Sequence, residues 1–207
     1  MQQNGTPNTS ANKVIQYKLN DGQWQTWDLS AVTLADGDKM YLKLDDEIPM
    51  GESYGQGSIY YAFKQFVMTG SIAASGNIMS LLNFSTTLAE YVFYKLFENC
   101  TSLTTAPELP ATTMVKNCYM AMFKGCTSLV QAPELPATKL VAVCYAGMFQ
   151  GCTNLNYVKA MFTTMLPTSL NNWLKDVSTT GTFVKNAAAT WTNKQAKIPT
   201  GWTVQTA

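Results

Sequence analysis

The apolar positions between about residues 90 and 160 recur in a fixed order. Phe97, Cys100 and Leu103 are followed by Phe123, Cys126 and Leu129, and then by Phe149, Cys152 and Leu155, each set 26 positions after the last. A second block, Ala106-Pro107-Glu108-Leu109-Pro110-Ala111-Thr112, returns as Ala132 to Thr138, and Cys118-Tyr119 with Met122 returns as Cys144-Tyr145 with Met148. The same offset puts Tyr94, Leu96 and Phe97 in phase with Met120, Met122 and Phe123, so a degenerate copy begins near Asn77. Within a unit, Tyr119 to Phe123 is apolar at helical spacing and predicts one or two helical turns, stopped at Gly125 and, in the next copy, at Gly151. Leu103, Ala106 and Leu109 lie in a short proline-flanked stretch that predicts an extended strand. A unit of one helical turn and one strand cannot bury its own apolar side, so stacking of neighbours must create the core.

The flanks follow another pattern. Val14, Tyr17 and Leu19, the turn signal Asp21-Gly22 and then Gln23 to Trp27 read as a hairpin. Asp36-Gly37-Asp38 is a second turn ahead of a strand over Met40 to Leu44, and Tyr60 to Val67 is a further strand. Beyond residue 160, Leu170, Trp173, Leu174 and Val177 lie at helical spacing, with strands predicted at 182–184 and 203–204. Four segments result: a polar tether at 1–12, a β-rich unit at 13–75, repeats at 76–160 and a capping segment at 161–207. The N-terminal β unit and the tail are expected to cover the two ends of the repeat stack.

Composition narrows the function. The 14 Lys+Arg and 13 Asp+Glu give a net charge of +1, and charged residues are 13% of the 207, against about 25% in ordinary domains. No basic stripe is present, so nucleic acid is not an expected partner. Histidine is absent, which removes Ser-His-Asp and Cys-His nucleophiles, His-ligated zinc and imidazole acid/base chemistry. No stretch approaches the roughly 20 apolar residues that span a bilayer, and Met1 to Asn12 has no apolar signal core. The chain is therefore expected to be cytosolic, or to have lost a targeting segment.

The Phe-x-Gly/Asn-Cys-Thr-Ser-Leu block followed by Ala-Pro-Glu-Leu-Pro resembles the BspA-type leucine-rich repeats of cell-surface proteins and lipoproteins from anaerobic gut and oral bacteria. The match is close over about 77–160. It is looser at Ser75 to Leu81, at Gly181 to Asn186 and at Ile198 to Trp202. The period also falls within the leucine-rich-repeat range of roughly 20–29 residues. The fold expected is thus α+β: a short leucine-rich-repeat solenoid of about three units, with an N-terminal β-rich unit and a C-terminal cap. The resemblance implies extracellular display, a protein or glycan partner, membrane contact only through a lipid anchor, no cofactor and no catalytic residues.

Each candidate group has a plain structural reading beside the chemical one. The five cysteines lack convergent Cys-x-x-Cys spacing and read as buried reduced thiols, with Cys118–Cys126 or Cys144–Cys152 bonds as the alternative. Glu108 and Glu134, one repeat apart, should sit about 5 Å from each other on a sheet face, as solvated charges relieved by Lys116 or Lys139, as an acid/base pair or as a calcium contact. Trp24 and Trp27, with Tyr41, Tyr54, Tyr60 and Tyr61, are either the core of a small β domain or a sugar-stacking platform. Asp36, Asp38 and Asp45-Asp46-Glu47 lack calcium-loop spacing and read as turns and solvated charge. No metal site is expected. The leading expectation is a non-enzymatic surface binding or adhesion module that presents Thr, Glu and Lys side chains, with Glu108, Glu134, Lys116 and Lys139 as candidate binding residues; the second is a polysaccharide-binding accessory that uses the N-terminal aromatics, Trp24 and Trp27 among them.

Overall fold

The structure, a computed structural model, describes residues 2–4, 15–44, 51–54, 60–82 and 84–207. Most of the polar tether, the Asp45-Asp46-Glu47 run and the side chains of Tyr54, Tyr60 and Tyr61 lie outside this description. Among the described residues there are eleven strands: β1 (Gln2–Asn4), β2 (Ile15–Leu19), β3 (Gln25–Thr26), β4 (Met40–Leu44), β5 (Gly51–Tyr54), β6 (Tyr60–Gln65), β7 (Ile72–Ala73), β8 (Leu103–Thr105), β9 (Tyr157–Ala160), β10 (Gly181–Lys185) and β11 (Trp202–Thr206).

The N-terminal part forms two antiparallel sheets, ordered β1-β6-β5 and β3-β2-β4. The hairpin β2–β3 turns through Asn20, whose left-handed φ of 50° suits asparagine. The Asn20 amide ties this turn to the next by donating to Asp38 Oδ1, and its carbonyl oxygen accepts from the Lys39 amide. Alternation along β2 puts Ile15 and the neighbouring Trp27 in the core, and leaves Lys18 opposite Tyr41 on the other face.

The repeats form stacked layers of linked turns. Left-handed φ values recur every fourth residue, at Tyr91, Lys95 and Asn99, then Asn117, Ala121 and Gly125, then Val143, Gly147 and Gly151. Between these resets the amides divide into two sets. Leu96 and Cys100 donate back three residues, to Phe93 and Phe97, as Met122 and Cys126 do to Tyr119 and Phe123. The alternate amides of Phe93, Lys95, Phe97 and Asn99 donate to Cys118, Met120, Met122 and Lys124 of the next layer, and Tyr119 to Gly125 repeat this toward Cys144 to Gln150. Every one of these donors therefore has an acceptor, the alternate ones in a neighbouring layer.

Side chains register with the backbone. Phe66, Phe97, Phe123 and Phe149 form one internal column, with centroids 5.1, 5.4 and 5.7 Å apart. Phe93 and Tyr119 make a second column, 5.5 Å apart, and Tyr145 follows at 6.1 Å. Cys100, Cys126 and Cys152 are buried beside them, with Leu103, Leu129 and Leu155. Gly125 suits its φ of +74°, where a Cβ would be strained and would also crowd the side-chain amide of Asn99.

The chain beyond residue 160 continues the same plan. Tyr145, Gly147, Phe149 and Gly151 donate to Ser169, Asn171, Trp173 and Lys175, while β9, β10 and β11 form a parallel sheet. Three indoles close this end. The N–H groups of Trp173, Trp191 and Trp202 reach the carbonyls of Ala196, Phe162 and Ser178. Gly181 admits no side chain, since a Cβ would lie 2.8 Å from the Trp202 ring.

Two expectations need correction. The α+β leucine-rich-repeat solenoid with caps is not what the chain forms. The one helical element among the described residues is the 3-10 helix Ile78–Leu82, the sheets have two or three strands each, and no closed solenoid results. The predicted helical turns at Tyr119–Phe123 and at Leu170–Val177 are chains of turns instead. An α-helix would commit each amide to the carbonyl four residues back; here alternate amides serve the next layer, and a left-handed residue every fourth position resets the chain.

Candidate functional site

The matched Ala-Pro-Glu-Leu-Pro blocks come together on one surface. Leu109 and Leu135 are buried, 3% and 1% exposed. Above them Pro107, Pro110, Pro133 and Pro136 line an open groove of 310 Å³ that also holds Glu108 and Glu134. The backbone of Glu108 is fixed against one neighbouring segment, its amide donating to the Gly76 carbonyl and its carbonyl accepting from the Ile78 amide.

Glu134 pairs with Lys159 at 3.0 Å. The expected relief by Lys116 or Lys139 is thus corrected: both are exposed, Lys139 pairs through its backbone with Thr164, and β9 delivers Lys159 to the carboxylate. At 34% and 54% side-chain exposure, this pair contributes little to stability, about 0–1 kcal/mol.

The two tryptophans named from the sequence are separated. Trp27 is 7% exposed, donates its indole N–H to the Ser30 carbonyl at 2.9 Å and tilts against Tyr17 at 6.0 Å. As a binding residue it is corrected to a core residue. Trp24 and Tyr41 are 40% and 41% exposed on the outer face of the β3-β2-β4 sheet. Lys18 Nζ lies 4.8 Å from the Tyr41 ring centre and 5.7 Å from that of Trp24, while Lys43 Nζ lies 4.7 Å from Trp24. Two ammonium groups and two aromatic faces therefore share one patch.

The five cysteines are free and buried. Cys100, Cys126 and Cys152 each donate an S–H to the phenylalanine carbonyl of the preceding layer, Phe66, Phe97 and Phe123, at 3.1, 3.0 and 3.0 Å. Burial pushes Cys100, Cys118 and Cys152 up to about 12 and Cys144 to about 11, and Cys126 is higher still. Thiols held neutral and covered are poor nucleophiles and poor metal ligands. No group of three or more His, Cys, Asp or Glu that could hold a metal ion occurs among the described residues.

A charged cluster also lies within the repeats, around Glu98. Glu98, 8% exposed, accepts from Lys95 at 3.0 Å and Lys124 at 3.1 Å. Burial works against the Lys95 ammonium, but the hydrogen bond and charge of Glu98, with help from Tyr94, outweigh it and raise its pKa. Its signal was present in the repeat phase, since Lys124 stands 26 positions after Glu98. Comparison of the chain with protein-family models, curated proteins and solved structures gives no match.

Proposed function

We propose that this chain is a non-enzymatic binding module, displayed outside the cell, that offers its repeat surface to a protein or glycan. The observation that carries the reading is the groove in which two copies of one sequence block set four prolines and two carboxylates side by side. Its floor is held by interlayer hydrogen bonds, so little ordering entropy is lost when a partner seats. The resemblance of the repeat block to BspA-type surface proteins supports extracellular display, with any membrane attachment made through a lipid anchor. Glu108→Lys should abolish capture of a surface partner while Trp24→Ala leaves it intact; the reverse pattern would remove the groove from the account.

A second reading rests on the exposed Trp24 and Tyr41, which offer flat apolar faces to a polysaccharide. A glycan array separates the two. Sugar binding lost on Trp24→Ala and kept on Glu108→Lys supports the sheet face, whereas turnover of a glycoside or peptide by the purified chain would overturn both.

A further inference from the structure

The parallel sheet β9-β10-β11 ends at β11, and among the described residues nothing pairs with the outer edge of that strand. The register fixes which groups point outward. The Ala207 amide donates to the Lys185 carbonyl, and Thr203 and Gln205 share its orientation toward β10 because residues alternate along a strand. The N–H and C=O of Val204 and Thr206 therefore face away from the sheet. Natural sheets protect such an edge with lysine, proline, a bulge or a covering loop. β11 reads Trp-Thr-Val-Gln-Thr and carries none of these, and Thr203, Gln205 and Thr206 are exposed.

We propose that β11 pairs antiparallel with β11 of a second copy of this chain, about a two-fold axis through Gln205. The geometry is self-complementary. With Gln205 opposite its own copy, Val204 falls opposite the partner's Thr206 and Thr206 opposite the partner's Val204, so each outward N–H meets an outward carbonyl. The strand has no charged residue to repel its copy, and the central pair brings two uncharged amides together. A strand edge of this length buries less than the roughly 1,200 Å² of a stable interface, so the dimer is weak and concentration-dependent. It joins two grooves in one particle and raises avidity for a repetitive partner without any new contact to it.

Gln205 provides the test, because it is exposed and the central pair of an antiparallel ladder without mutual hydrogen bonds is the closest one, with Cα atoms about 4.5 Å apart. The full chain is examined by analytical ultracentrifugation over a wide concentration range, with circular dichroism confirming that each variant folds. The wild-type mass should rise from 22.8 kDa toward twice that value. Gln205→Lys and Gln205→Glu should each remain monomeric, and their equimolar mixture should associate at least as well as wild type, less so in high salt. A wild-type chain that stays monomeric at the highest concentration overturns the proposal. So does Gln205→Lys associating like wild type, or a mixture that stays monomeric while wild type associates.

Discussion

Replacing Phe123 with alanine tests the layered core most directly. Its ring is fully buried and lies between Phe97 and Phe149, with centroids 5.4 and 5.7 Å away and planes within 6° and 2°. Truncating a buried phenylalanine costs about 3–5 kcal/mol through lost burial and the cavity left behind, and each aromatic contact adds about 0.5–1.5 kcal/mol beyond area. Phe66, 9% exposed and stacked within the column on Phe97 alone, should lose about 0.5–1.5 kcal/mol less on the same change, the worth of one ring contact. Single domains have about 5–15 kcal/mol in all, so Phe123→Ala removes a large fraction. Urea unfolding followed by tryptophan fluorescence reads the difference as a fall in midpoint at unchanged slope. A cost below about 1 kcal/mol for Phe123→Ala, or one no larger than for Phe66→Ala, would show that the column is not what holds the layers together.

Alkaline stability follows from the thiols. Their native pKa values are raised above the ordinary 9.0, so their contribution is intact below that pH and is lost as pH rises through the native values of about 11–12. Across that window each thiol removes about 1.4 kcal/mol per pH unit, and a flat urea midpoint from pH 8 to 11 would contradict it. Alkylation of the native chain with iodoacetamide at pH 8 should proceed only at the rate of opening, with all five thiols reacting in denaturant; rapid native labelling of Cys126 refutes the burial argument. Val143, held at a φ of 61°, is strained as a β-branched residue, and Val143→Asn, which copies Asn117 one layer back, should stabilise by about 0.5–1 kcal/mol in thermal melts. Glu98→Ala leaves Lys95 and Lys124 facing each other without their shared acceptor and should cost about 1–3 kcal/mol, whereas a loss near zero would mean that the cluster is screened by solvent.

Much of the layer arrangement could be read before any coordinates. The 26-residue offset places Phe97 under Phe123 and Phe149 and brings the proline blocks together, because stacking identical units superposes identical residues. The local conformation was not legible for a physical reason. Over eight residues, a turn repeating every four positions and a helix repeating every 3.6 place apolar side chains almost identically, so Tyr119 with Met122 and Phe123 reads as helix. The distinguishing mark was weak: Asn99, Asn117, Gly125, Gly147 and Gly151 stand at the resets, but Tyr91, Lys95, Ala121 and Val143 occupy equivalent positions. Among the site residues, the pairing of Glu134 with Lys159 depended on the register of β9, which is set by cross-layer bonds from Ala132 and Leu135. Trp24 and Trp27 could not be sorted into surface and core until β2 fixed which face of its sheet points inward.

The direction of the interlayer hydrogen bonds bears on how the chain is made. The alternate amides of Phe93 to Asn99 donate to carbonyls about 25 residues further on, and those of Tyr119 to Gly125 do the same. Emerging from a ribosome, such a unit holds donors whose acceptors have not yet been synthesised. Its turns cannot settle until the following unit leaves the exit tunnel, so ordering trails synthesis by one repeat, and a pause in translation at a repeat boundary leaves the most recent unit open to proteases and chaperones.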